Sequence, residues 1–125
     1  MAKILGLGGV FFKSPDPDAL GKWYADVLGF PIEGWPGAVF QLADTGGRQG
    51  FTVWSAFKAD TTYFEPSTQS FMMNFRVDDL DGFLAQIEAK GVTVLRRDDA
   101  DDNGRFAWIM DPDGNKLELW EPKAA

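Results

Sequence analysis

Side chains able to do chemistry are few in this sequence, because it contains neither histidine nor cysteine. Without cysteine there are no disulfides, thiolate metal sites or thiol nucleophiles, and the redox compartment is left undetermined. Without histidine the commonest general base and transition-metal ligand are missing, and most hydrolase triads go with them. What remains is carboxylates, hydroxyls and rings. Eleven Phe, five Trp and two Tyr among 125 residues exceed what a small core needs, which suggests a partly apolar cavity. The alternative is that every ring is core.

Two short motifs resemble ligand loops and fail on inspection. Gly6-Leu-Gly-Gly9 opens like a dinucleotide fingerprint, but its sixth position is Phe11, the run reads as a strand and no helix follows directly. Its expected role is close backbone approach where a side chain would clash. Asp99-Ala-Asp-Asp-Asn-Gly104 matches the first half of a calcium loop, yet the twelfth position is Met110 and Arg105 to Met110 reads as a strand. The acidic run Asp98 to Asp102 is expected to be a solvated loop, partly offset by Arg96, Arg97 and Arg105, with at most a weak calcium contact. A net charge of -7 opposes binding to nucleic acid and to anionic membranes. No apolar run is long enough to cross a bilayer, the start lacks a signal-peptide pattern, and the cytoplasm is the expected location.

The elements that would position these groups come in two copies. Gly9 to Asp16 lies over Met72 to Asp79, each a period-2 apolar run ending in aspartate. A helical pattern follows each: Leu20, Trp23, Tyr24, Val27 and Leu28 in one, Leu80, Phe83, Leu84 and Ile87 in the other. Asp16 with Pro17, and Asp79 with Leu80, suit helix starts; Gly29 and Gly91 suit helix ends. Val39 to Asp44 then matches Phe106 to Asp111, each running into a turn, Asp44 to Gly47 and Asp111 to Gly114. Phe51-Thr-Val-Trp54 aligns with Leu117-Glu-Leu-Trp120. The sequence therefore predicts a single α+β domain over residues 1–125, with repeats at about 4–58 and about 70–122 and a linker at about 59–69. Each repeat reads βαβββ, and the two sheets pair edge to edge into one curved mixed sheet around a concave pocket.

This order resembles the vicinal-oxygen-chelate superfamily of glyoxalases, bleomycin-resistance proteins and extradiol dioxygenases. The matching phrases are Asp16 through Leu28-Gly29 with the aromatic pair Trp23-Tyr24, Val77-Asp-Asp79, and Asp111-Pro-Asp-Gly-Asn115 followed by Leu-Glu-Leu. The resemblance implies a ligand site inside the sheet and, in metal-using members, four ion-holding side chains. Carried onto this chain, those positions are Gly9, Met72, Thr52 and Glu118. A glycine, a thioether, a hydroxyl and one carboxylate do not make a cage for zinc, nickel or iron. No metal or other cofactor is expected.

If the implied ligand positions face inward, period-2 alternation adds Phe11, Trp54, Asn74 and Trp120 to Thr52, Met72 and Glu118 as the ligand-binding set. Under the bland reading these residues simply fill the space. Burial beside Trp54 and Trp120 would raise the Glu118 pKa. The expected function is metal-independent binding of a small aromatic or cationic molecule by a homodimer. One alternative is a glyoxalase-like lyase or isomerase with Glu118 as catalytic proton acceptor, assisted by Asn74 or Arg105. The other is a non-catalytic relic or interaction module.

Overall fold

Two aspartates start the two helices. A computed structural model describes residues 1–41 and 51–124 of the chain. In it the Asp16 carboxylate accepts from the Ala19 N–H at 3.1 Å, at the start of helix α1 (Pro17–Leu28). Pro17 follows where a missing N–H costs nothing. Asp79 repeats the arrangement for α2 (Leu80–Glu88), accepting from the Gly82 N–H at 3.1 Å. The chain leaves α1 through Gly29 at φ 74° and turns after α2 at Gly91, φ 92°, both left-handed as expected.

Seven strands form one sheet: β1 (Ile4–Ser14), β2 (Gly37–Gln41), β3 (Phe51–Lys58), β4 (Phe71–Val77), β5 (Arg96–Asp101), β6 (Gly104–Met110) and β7 (Lys116–Pro122). Their order is β2-β3-β1-β4-β7-β6-β5. β1 runs parallel to β3 and β4 parallel to β7, while antiparallel pairing of β1 with β4 joins the halves edge to edge. At that joint Gly9 faces Asn74 and Phe11 faces Met72. A shift of 63 residues carries Gly9 to Met72 and Phe11 to Asn74, so each pair maps onto the other as a two-fold repeat requires. The α+β class and the mixed sheet are as the sequence predicts.

Three details differ. The first half contributes three strands among the described residues, because 30–36 carries none. Pro31 and Pro36 remove ladder donors there and Gly34 turns at φ 79°, so a strand is unfavourable. The acidic run is not a loop: Asp98 to Asp101 belongs to β5, with a register shift between Asp98 and Asp101. Charge is tolerated there because β5 is an edge strand and Asp99 pairs with Arg97 and Arg105, each at 2.9 Å. Finally, the apolar stripe of α1 is only partly covered, with Trp23, Val27 and Leu28 at least half exposed. The turn expected at Asp44 to Gly47 lies outside the described residues.

The helices cover one face of the sheet. Under α2, Leu80 and Leu84 pack with Val77, Ala107, Ile109 and Leu119 as a core. The opposite parity of the same strands is thereby turned to the other face, where the site lies. Among the described residues no helix is long and apolar enough to cross a membrane.

This packing sets an expected contrast. Leu84→Ala should cost about 2–5 kcal/mol by leaving a cavity, whereas Val27→Ala should change stability by under about 0.5 kcal/mol because that side chain is mostly in water. Urea denaturation midpoints of the two variants would measure both.

Candidate functional site

The strands curve around a hollow of ≈ 380 Å³ on the face away from the helices. β3 sends Phe51, Val53, Ser55 and Phe57 into it, and β1 contributes Gly8 and Phe11. The facing wall is Phe106 of β6 and Trp120 of β7, whose rings stack at 5° with centroids 6.1 Å apart. Asp101 and Asn103 stand at the hollow's edge, and the Asn103 carbonyl accepts from Trp120 Nε1 at 2.8 Å, which fixes the indole.

Glu118 also lines the hollow, at 2% exposure. Three donors meet its carboxylate. Asn74 Nδ2 donates to Oε1 at 2.6 Å, Trp108 Nε1 donates to Oε2 at 2.8 Å, and the Tyr63 hydroxyl donates to the same Oε2. Register places two of them, since Asn74 and Trp108 are the β4 and β6 partners of Glu118. Burial pushes the Glu118 carboxyl up from its ordinary range, and the three hydrogen bonds pull against that shift. Burial, reinforced by the neighbouring carboxylate, also pushes the Tyr63 hydroxyl up, so it stays a donor. Behind this wall the Lys116 ammonium lies 5.3 Å from the Tyr63 ring and donates to the Tyr63 carbonyl at 2.6 Å; burial lowers its pKa.

Of the seven residues expected at the site, Phe11, Asn74, Glu118 and Trp120 line the hollow. Met72 faces the same side but is fully buried beneath it, packed with Phe64 and Trp108. Thr52 and Trp54 are corrected. Trp54 packs on the helix side against Tyr24, Phe12 and Phe30, and Thr52 shares its parity. The sheet register explains the error: Phe11 pairs with Ser55 as Asn74 pairs with Glu118, so the two-fold counterpart of Glu118 is Ser55. An odd slip in alignment sends every side chain to the wrong face. Gly8, not Gly9, opens on the hollow, because β1 is irregular between Leu7 and Gly9. Arg105 is bound to Asp81 and Asp99 on the surface and does not line the hollow.

Tyr63 and Trp108 were not legible as site residues. Tyr63 comes from the segment joining the halves, where the only hint is the adjacent ring pair Tyr63-Phe64. Trp108 follows once β6 is registered on β7.

The register-corrected ion-holding positions are Gly9, Met72, Ser55 and Glu118. They do not fit a metal. Only one is a carboxylate, and each of its oxygens already accepts from a protein donor. Among the described residues no three His, Cys, Asp or Glu side chains are grouped to hold an ion.

The model of the glyoxalase-like domain matches residues 9–120. The chain belongs to the glyoxalase-like family. That places it in the vicinal-oxygen-chelate superfamily, as its phrases imply. Similar solved structures include a methylmalonyl-CoA epimerase in complex with methylmalonyl-CoA and ammonium, at TM-score 0.69 and 19% identity over 98% of this chain and all of that one. A variant methylmalonyl-CoA epimerase of Streptomyces coelicolor, in complex with 2-nitronate-propionyl-CoA, gives 0.69 and 21%, covering 98% and 100% of the two chains. The 2,3-dioxygenase LapB of Pseudomonas sp. KL28 gives 0.64 and 20%, with 98% of this chain and 42% of that one. Identities this low speak for the glyoxalase-like fold alone. No curated protein matches the sequence.

A raised carboxyl pKa has a definite consequence for stability. Between the ordinary carboxylate value and the raised one, the folded protein holds a proton that the unfolded chain has released. Glu118 therefore stabilises the fold most below that window, and its contribution falls as pH rises through it. Urea midpoints measured across acid to neutral pH should show this falling component in the native protein, and Glu118→Gln should remove it. In Tyr63→Phe, loss of one donor should move the carboxyl further up, readable from the carboxyl carbon shift of labelled glutamate.

Proposed function

We propose that this glyoxalase-like protein binds a small aromatic molecule carrying a positively charged or hydrogen-bond-donating group, and does so without a metal ion. One observation carries the reading: the only carboxylate at the family's ion-holding positions is already saturated by Tyr63, Asn74 and Trp108 at the base of a ring-walled hollow. A volume of ≈ 380 Å³ is at the small end of ligand pockets. Phe51 and Trp120, 4.8 Å apart, with Phe106 beside them, supply faces for a planar body. Polar recognition would fall to Asn74 Oδ1, buried without a partner, which can accept a ligand's N–H. Asp101 and Glu118 make the lining acidic, and among the described residues it contains no Lys or Arg. A cation over these rings would gain about 0.5–2 kcal/mol from their faces. The proposal also takes the protein to act as a homodimer in the cytoplasm; exposed Trp23, Val27 and Leu28 supply apolar surface for pairing.

A second reading, proton abstraction next to a carbonyl by Glu118, draws on the raised pKa of that carboxyl. The epimerases among its fold neighbours belong to this class of chemistry only by their own names. Engagement of both carboxylate oxygens favours binding over turnover.

Benzylamine is a suitable probe. It should quench indole fluorescence, and Glu118→Gln should weaken its binding by about tenfold, because the variant removes the negative charge beneath the hollow that attracts the ammonium ion without removing a direct contact. Treatment with a chelator should leave that affinity unchanged. Equal affinity in the variant, or loss of binding on chelation, would remove the basis of the proposal. Turnover of a carbonyl substrate that disappears in Glu118→Gln would favour the second reading.

A further inference from the structure

Beyond Glu118 the same face of the sheet changes sign. Lys116 stands two positions before Glu118 on β7 and shares its parity. Trp108 is the β6 partner of Glu118, and Arg96 is the β5 partner of Trp108, so these side chains share that face as well. Arg96 and Lys116 line a second hollow of ≈ 370 Å³. Trp108 is part of its lining, and Tyr63 belongs to the walls of both hollows. The first hollow is acidic; the second carries two cations.

Those cations are held against one ring system. Arg96 Cζ lies 5.1 Å and Lys116 Nζ 5.8 Å from the Trp108 ring centre. The Tyr63 carbonyl takes up one of the three ammonium donors of Lys116, at 2.6 Å. Among the described residues neither cation forms an ion pair with a carboxylate. Glu65, the one carboxylate of the lining among them, is beyond ion-pair distance of both. The neighbouring arginines differ. Arg97, of opposite parity to Arg96, is bound to Asp81 and Asp99, and Arg105 to Asp81, Asp99 and Glu121. In a chain with 19 acidic residues and 12 basic ones, Arg96 and Lys116 are a local reversal of charge. Burial lowers the Lys116 pKa, and repulsion by Arg96 adds to this against the pull of Glu118 and Glu65. An anion placed between the two cations relieves that repulsion.

We infer that this second hollow binds a small oxyanion, a carboxylate or a phosphate group, between Arg96 and Lys116. The guanidinium offers two parallel N–H bonds, the ammonium a point charge, and Thr62 in the lining a hydroxyl. The net charge of -7 repels anions at long range, so binding depends on short-range contact with these residues. The anion site is distinct from the amine-binding hollow, and its occupancy does not require a ligand there.

Inorganic phosphate, exchanged for chloride at constant ionic strength, is the first probe, with the indole N–H signals of nitrogen-labelled protein as the readout. The Trp108 signal should move and saturate, while that of Trp120, in the other hollow, stays in place. Arg96→Gln should weaken phosphate binding by about tenfold, the loss of one charge-assisted contact. Glu65→Gln should tighten it by about threefold, because one like charge nearby is removed across a largely aqueous path. Arg96 is exposed and makes no hydrogen bond that the fold needs, so the variant should melt as the native protein does. A non-saturating response, movement of Trp120 in place of Trp108, or equal affinity in Arg96→Gln would each overturn the site, as would weaker binding in Glu65→Gln. A parallel titration with acetate separates the two sources of an oxyanion: tighter binding than phosphate assigns a carboxylate, weaker binding a phosphate group.

Discussion

Burying one carboxylate is the constraint on which this structure turns. Glu118 gives up nearly all of its water, at a cost of several kcal/mol. Three donors answer it, each worth about 1.5–3 kcal/mol to a charged acceptor, a sum of similar size. Those donors come from three separate parts of the chain: Asn74 on β4, Trp108 on β6 and Tyr63 between the halves. The carboxylate therefore ties the second half-sheet to the joining segment. Phe64, beside Tyr63, closes over Met72 and Trp108 as part of the same cluster.

The same constraint underlies the metal independence proposed for this glyoxalase-like protein. An ion would need carboxylate lone pairs that the protein now uses internally. The other three positions that the resemblance implies carry a glycine, a thioether and a hydroxyl, with Met72 serving as packing. What is left between the half-sheets is a cavity with an acidic base and aromatic sides. Its polar groups are acceptors at Asn74 and Glu118, with Asp101 at the edge.

The glycine run of β1 serves that arrangement. A Cβ at Gly8 would come within 2.0 Å of Asn74 Oδ1, and one at Gly9 within 2.7 Å of the Val53 carbonyl. Close approach of two strands and two buried polar side chains thus depends on side chains that are absent. That is the role the sequence suggests for the motif, rather than phosphate binding. On the other face the halves are unequal. α2 buries Leu80 and Leu84, while α1 leaves Trp23, Val27 and Leu28 largely in solvent.

By itself the sequence determined the repeat, both helices with their aspartate starts and glycine exits, and the mixed sheet, all from local signals, namely caps, periodicity and turn residues, that act over a few positions. Phe11, Asn74, Glu118 and Trp120 at the hollow followed from the family resemblance combined with period-2 alternation. Tertiary structure decided everything that depends on register. Thr52 and Trp54 aligned well by composition, yet pairing of β1 with β3 turns Ser55 inward and sends Trp54 to the helices. Tyr63 and Trp108 reach Glu118 across 55 and 10 residues of chain. A strand's side chains alternate with a period of two, so one residue of slip inverts its faces, and only the hydrogen-bonded partner strand fixes which face is which.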